Sequence, residues 1–371
     1  MKKTAFFMVM VTLLSVCLVP AQTINPRLQG QMNTFGGLHF ETWSAKSDRI
    51  TQIALPITYV YPINPRARID VITSPAFTTF SNNSLNGLSD IRIRGHYLTK
   101  DERYVFTYGL VLPTGKNQLT TEEFNVATAM SVNAFNFRVP YLGQGRDVNL
   151  GMATAWEYGN YIIGAGVSFL HKDNYKPFKS SEYDYDPGNE LTLTTGIERN
   201  VFWMDRNMRV TADIVYTLYG SDTGNGEEVF KSGNRFIIQG TLSAPMDNFD
   251  LLLFVRDRIK GKNKTGTGDI FEAERKNRNG NEFQIMGKAI FPPNNGQRFS
   301  GLVDFKLYSN NAYGTNGAML LGLGGGYQRP LDDKMTFDGG LAFYFGSINS
   351  SGESTGVTGI KLDAAIRYFF H

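Results

Sequence analysis

The 371-residue sequence balances 37 Lys and Arg against 34 Asp and Glu, a formal charge of +3, which offers no basic surface for nucleic acid. Glycine (39), phenylalanine (27) and tyrosine (18) are abundant, yet mean hydropathy is only -0.24. Beyond the N-terminus no run of roughly 20 apolar residues occurs, which excludes a helical membrane protein. A strand that alternates lipid-facing and lumen-facing residues keeps its average hydropathy low.

At the N-terminus Lys2 and Lys3 precede an apolar run from Ala5 to Val19 that ends in Val19-Pro20-Ala21. Positive flank, short apolar core and small residues are the parts of a secretory signal peptide, expected as 1–21 with cleavage after Ala21. Leu14-Ser15-Val16-Cys17 departs from a lipoprotein signal because Val16 stands where a small residue is wanted. Cleavage takes away Cys17, the single cysteine, so the mature chain, 22–371, has no disulfide and no cysteine-based metal or nucleophile chemistry. It also takes Lys2 and Lys3, which lowers the formal charge to about +1. The stretch from Gln22 to about Met32 is too short for the globular plug of an energy-coupled transporter.

From residue 33 onward the dominant pattern is alternation. In Asp90-Ile91-Arg92-Ile93-Arg94-Gly95-His96-Tyr97 every second residue is ionisable. A strand puts Asp90, Arg92, Arg94 and His96 on one face and Ile91, Ile93 and Tyr97 on the other, whereas a helix would mix the sets. The same period recurs along Tyr104–Leu110, Tyr161–Phe169, Val210–Leu218 and Phe299–Leu307. Sixteen strands are predicted near 33–45, 50–61, 66–74, 89–99, 103–113, 147–158, 160–171, 189–199, 208–219, 234–244, 248–258, 282–291, 298–308, 317–328, 334–346 and 359–370. One misplaced pair near the N-terminus would leave fourteen. Short connections at 100–102, 158–160, 245–247, 292–296 and 330–333 alternate with long polar ones at 114–146, 172–188, 220–233, 259–281 and 347–358. That is the rhythm of an all-β, antiparallel, up-and-down transmembrane barrel in the outer membrane, both termini on the periplasmic side.

The alternation also predicts which charges line the lumen: Asp90, Arg92, Arg94, His96, Glu157, Asp213, Arg256, Arg258, Asp304, Lys306 and Asp363. The 114–146 connection is unusual for its apolar second half. Phe124, Met130, Phe135, Phe137, Arg138 and Tyr141 are expected in a constriction folded into the lumen, since so much apolar surface is poorly placed in open water. A hairpin that extends the wall is the alternative.

Leu88-Ser89-Asp90-Ile91-Arg92-Ile93-Arg94, then Tyr108-Gly109-Leu110-Val111-Leu112-Pro113-Thr114-Gly115, then Leu142-Gly143-Gln144-Gly145-Arg146-Asp147 resemble the outer-membrane family named for the meta-pathway of phenol degradation. The resemblance covers about a sixth of the chain, and Pro113-Thr114-Gly115 is its most specific part. It implies transport of aromatic or other hydrophobic compounds. The last strand also resembles the C-terminal signal through which barrel-assembly machinery recognises outer-membrane strands. Ile360, Leu362, Ala364, Ile366, Tyr368 and Phe370 alternate with Lys361, Asp363 and Arg367, although His371 follows the terminal aromatic.

Catalysis is not expected. Of the four histidines, His39, His96, His171 and His371, only His96 shares a face with several charges, and no serine lies on that strand face to act as nucleophile. No cofactor or metal is expected; the acidic cluster Glu182, Asp184 and Asp186 reads as a solvated loop rather than a cation bridge to lipopolysaccharide. The pattern therefore points to a passive channel for small solutes in contact with outer-membrane lipid and lipopolysaccharide. A structural or adhesive barrel with a closed lumen is the alternative, with an outer-membrane hydrolase a distant third.

Overall fold

The computed structural model describes residues 32–46, 48–132, 134–203, 205–349 and 352–370. The expected signal peptide, 1–21, and His371 lie outside the described residues.

Sixteen antiparallel strands close into one barrel. In chain order they are β1 (Asn33–Ala45), β2 (Asp48–Ala54 continued by Ile57–Asn64), β3 (Ala67–Thr73 and Pro75–Phe80), β4 (Asn83–Leu88 and Ile91–Leu98), β5 (Tyr104–Leu112), β6 (Asp147–Tyr158), β7 (Tyr161–Lys172) and β8 (Glu190–Trp203). Then come β9 (Arg206–Tyr219), β10 (Arg235–Pro245), β11 (Asp250–Lys260), β12 (Glu282–Ile290), β13 (Arg298–Tyr308), β14 (Gly317–Pro330), β15 (Met335–Asn349) and β16 (Ser354–Phe369). Each of the sixteen predicted runs falls on one of them. β1 closes the wall on β16, from Asn33 opposite Phe369 to Ala45 opposite Val357, so no row of backbone donors is left at an edge.

The alternation sets the two faces. Leu38, Ile53, Val167, Ile214, Val255, Phe343 and Leu362 point outward and are exposed, a belt that only lipid can cover. Their neighbours His39, Glu41, Gln52 and Gln284 point inward and are buried. No helix among the described residues is long and apolar enough to cross a membrane, so the strands do the spanning.

Two connections differ from their prediction. Residues 75–88 are strand rather than loop, turning at Ser81 and Asn82. The cause is a bulge. Pro75 faces Leu88 and Ile72 faces Arg92, so β4 carries one residue more than β3 between these pairs. The extra residue reverses the face on which side chains emerge, and the period of two is lost across it. The other is 347–358, where β15 and β16 continue to Asn349 and from Ser354. Here the outward positions are Ser347, Asn349, Ser354 and Gly356; the ladder persists while the apolar alternation does not.

At the end away from the termini the connections 173–189, 220–234 and 261–281 pair with one another. Tyr185–Asp186, Ser221–Gly224, Glu227–Lys231, Lys264–Thr265 and Glu272–Ala273 make a second, five-stranded sheet there. The 113–146 connection holds α1 (Thr121–Met130), which packs on the outer parts of β3 and β4. Its start is a capping box: Thr120 Oγ1 accepts from Glu123 N–H (3.3 Å), and Glu123 Oε2 accepts from Thr120 N–H (3.0 Å).

Candidate functional site

The bulge in β4 turns Asp90 inward, with only 3% of its surface exposed. Its Oδ1 accepts from Gly115 N–H at 2.8 Å and its Oδ2 from Gln144 N–H at 2.9 Å. Asp90 N–H donates to the Leu142 carbonyl (2.8 Å), and Ile91 N–H donates to Thr114 Oγ1 (3.0 Å). One carboxylate thus ties both ends of the 114–146 connection to the wall. The approach is close: a Cβ on Gly115 would sit 2.2 Å from the Leu142 carbonyl oxygen, so this position has room only for glycine. Three separated motifs in the sequence, Ser89-Asp90, Thr114-Gly115 and Leu142-Gly143-Gln144, meet at this point. Asp90, expected as a lumen charge, is therefore a clamp.

Between its ends the connection lies against inward-facing side chains of β1, β2 and β16. Lys361 donates from Nζ to the carbonyls of Phe135 (2.9 Å) and Asn136 (3.1 Å). Glu41 accepts from Arg138 N–H (3.0 Å) and pairs with Lys361 (2.9 Å). Gln52 meets Val139 twice, donating to its carbonyl and accepting from its N–H, both at 2.9 Å, and holds Thr78 Oγ1 at 3.0 Å. Around these bonds Val126, Met130, Phe135, Phe137 and Val139 are buried against Trp43, Ile50, Leu85 and Leu320. Phe135 stacks on Trp43 with ring centroids 4.9 Å apart. Each fully buried apolar side chain contributes about 1.5–3 kcal/mol, so the contact is held by apolar burial and oriented by the polar bonds.

The residues expected in a constriction therefore divide. Met130, Phe135 and Phe137 are buried in the contact. Phe124 is exposed and packs on Phe178 of the 173–189 connection. Arg138 and Tyr141 are exposed, and Tyr141 Oη accepts from Arg92 of β4 at 2.8 Å. Glu41, Gln52 and Lys361 went unnoticed in the sequence. Alternation marks them as inward but gives no sign that they meet a distant segment.

The predicted lining charges also divide. Arg256 and Arg258 both pair with the buried Glu282. Asp304 accepts from Gln284 Nε2 (2.7 Å) and Tyr344 Oη (3.0 Å) and lies 3.6 Å from Lys306, both members of that pair being buried. Asp363 Oδ1 is 2.6 Å from His39 Nδ1. Asp363 stands two residues from Lys361 on β16, in the sector that holds the connection, whereas Arg256, Arg258 and Glu282 stand on β11 and β12. Arg92, Arg94 and His96 form a separate group on β4, Asp213 contacts Gln239 at 3.5 Å, and Glu157 is exposed near the turn that joins β6 to β7. On β5 to β8 the inward positions are mostly small, as at Thr107, Gly151, Gly166 and Thr194.

In α1, burial alone would raise the Glu123 carboxyl. The Lys116 ammonium and the Thr120 N–H outweigh it and hold the group below the ordinary carboxylate range. In the outer loops Glu182 pairs with Lys176, and Asp184 accepts from Asn174.

A closed sixteen-strand wall, apolar outside and polar inside, satisfies every backbone group within lipid and belongs to one setting. The chain is an outer-membrane β-barrel. Among solved structures this barrel is similar to CdiB from Acinetobacter baumannii, at 11% identity over 90% of this chain and 60% of that one, with a TM-score of 0.50. It is similar also to the CymD monoaromatic hydrocarbon channel (13% identity, 93% and 90% covered, TM-score 0.44) and to OprB from Pseudomonas putida (8%, 92% and 94%, TM-score 0.48). At such identities the likeness shows the fold alone. No family model and no curated relative matches the sequence.

Proposed function

We propose that this barrel is a passive outer-membrane channel for small solutes and that the 114–146 connection is its constriction. One observation carries the reading: the connection is fastened by Asp90, Glu41, Gln52 and Lys361 to one sector of the inner wall, while the inward side chains of β5 to β8 are mostly small. A segment held to one side narrows a passage without needing to fill it. Glu41 and Lys361 beneath it are paired with each other and bonded to the segment, so they support it rather than meet the solute. The resemblance of 88–94, 108–115 and 142–147 to the meta-pathway family favours an aromatic or otherwise hydrophobic solute. The C-terminal strand serves as the recognition element for barrel assembly, and lipopolysaccharide surrounds the outer half of the wall.

Purified protein in planar bilayers tests the reading. The intact barrel is expected to conduct, and deletion of 124–138 to raise single-channel conductance and widen the range of solutes admitted. Silence from both would refute it in favour of a structural barrel with a closed lumen. Conduction by the deletion alone would show a plugged pore.

A further inference from the structure

Beyond the constriction, toward the termini, the inner faces of β3 and β4 bring three arginines and a histidine together around one carboxylate. The register sets Arg68 opposite His96, Asp70 opposite Arg94 and Ile72 opposite Arg92. Asp70 Oδ2 pairs with Arg68 at 2.7 Å and lies 3.8 Å from His96 Nε2. Arg92 donates to Tyr141 Oη, and its guanidinium carbon stands 5.4 Å from the centroid of that ring. Arg94 makes no hydrogen bond and no ion pair among the described residues. Its neighbour across the ladder on β5 is Gly109, which puts no side chain beside it. Of the carboxylates on neighbouring elements, Asp90 holds two backbone N–H groups, and Asp147 stands on β6 opposite Lys172 and forms no ion pair with the three arginines among the described residues.

We infer that Arg94, with Arg68 and Arg92, forms a subsite for the carboxylate of a small solute whose apolar body lies on the exposed ring of Tyr141. This rests on the channel reading above and names the solute class. On the inner faces of β3 and β4 three arginines outnumber Asp70 within a low-dielectric wall, an arrangement that concentrates anions. A free guanidinium offers a planar pair of donors that fits a carboxylate in two parallel hydrogen bonds. Tyr141 belongs to the constriction, so a solute that has passed it meets the ring and the arginines together. An aromatic carboxylate satisfies both, whereas a neutral aromatic or a small aliphatic acid satisfies one.

Calorimetric titration of the intact, detergent-purified barrel with benzoate, benzyl alcohol and acetate tests this without requiring conduction. Benzoate is expected to bind more tightly than either other probe. Arg94→Gln should weaken benzoate by about tenfold or more, as loss of a charged hydrogen-bonding partner does, and leave benzyl alcohol unchanged. Asp70→Asn, which removes the competing carboxylate, should tighten benzoate; this change of opposite sign is not produced by a damaged fold. Equal binding of benzoate and benzyl alcohol, or full benzoate affinity in Arg94→Gln with its heat-modifiable gel shift intact, overturns the proposal. A barrel that binds benzoate in this pattern and never conducts removes the channel reading and leaves the subsite standing.

Discussion

Asp90 Oδ1 accepts the Gly115 N–H at 2.8 Å across 25 positions of sequence, and the same carboxylate reaches Gln144 with its other oxygen. Hydrogen bonds to a charged acceptor contribute about 1.5–3 kcal/mol each, and a buried partner left without one costs a similar amount. Asp90→Ala leaves two backbone N–H groups unmatched at the base of the constriction. The variant should fold, since β4 keeps its ladder to β3 and β5, but the 114–146 segment should become sensitive to protease and channel current noisier. Undiminished protease resistance in Asp90→Ala would show that the apolar contact alone holds the segment.

The barrel was legible in the sequence because lipid imposes its pattern on every strand. Val210, Ala212, Ile214 and Tyr216 on β9 must face hydrocarbon, and their neighbours cannot. Where that constraint stops, legibility stops. The outer ends of β15 and β16 rise past the apolar belt and read as loop, and the bulge at Ser89-Asp90 hides 75–88 by shifting the phase in the middle of a strand. The candidate site was half legible. Its inward charges follow from alternation, but which of them pair depends on strand neighbours as far apart as Glu41 and Lys361. Asp90 shows the limit: its position in the alternation is that of a lumen charge, and its role comes from a segment that returns more than 50 residues later.

The two faces of β9 give a direct test of strand phase. Ile214 is exposed outward near the middle of its strand, and Asp213 faces the lumen. Ile214→Arg places a charge in hydrocarbon and should cost about 2–4 kcal/mol in barrel stability if this level is the bilayer midplane. Asp213→Arg meets water and neighbouring polar groups and should cost less. Urea-dependent unfolding in lipid vesicles reads both; equal penalties would mean that the assignment of faces is wrong, and a larger one at Asp213 that the faces are reversed.

Acid should loosen the constriction through Glu123. Its carboxyl lies below the ordinary value of 4.5 because of Lys116 and Thr120, which overcome the opposing effect of burial. A depressed pKa means that the stabilisation is complete above about 4.5 and is lost as pH falls through the lower value in the folded protein. Current noise should therefore be flat between pH 7 and 5 and rise below about 4.5, the unperturbed carboxylate range. Glu123→Gln, which cannot ionise, should be noisier at neutral pH and lose this part of the acid response. An acid response of the same size in Glu123→Gln would assign it to another group.

Ion selectivity depends on which charges face the passage. Arg256 and Arg258 share Glu282, and Lys306 pairs with Asp304, so carboxylates offset two of these three positive charges where an ion would travel. Arg92 and Arg94 are bound by no carboxylate: the one meets a phenol, and the other has no hydrogen-bond or ion-pair partner among the described residues. The low-dielectric wall focuses their field into the lumen, where charge governs the ratio of anion to cation current. Arg92→Ala/Arg94→Ala should move the reversal potential in a salt gradient toward cations, and the shift should shrink at high ionic strength as screening shortens the reach of the field. Arg256→Ala serves as the contrast. It leaves Glu282 still paired with Arg258 and should move the reversal potential less. Should the double variant leave the reversal potential in place while Arg256→Ala displaces it, the conducting path runs along β11 and β12 rather than past β4.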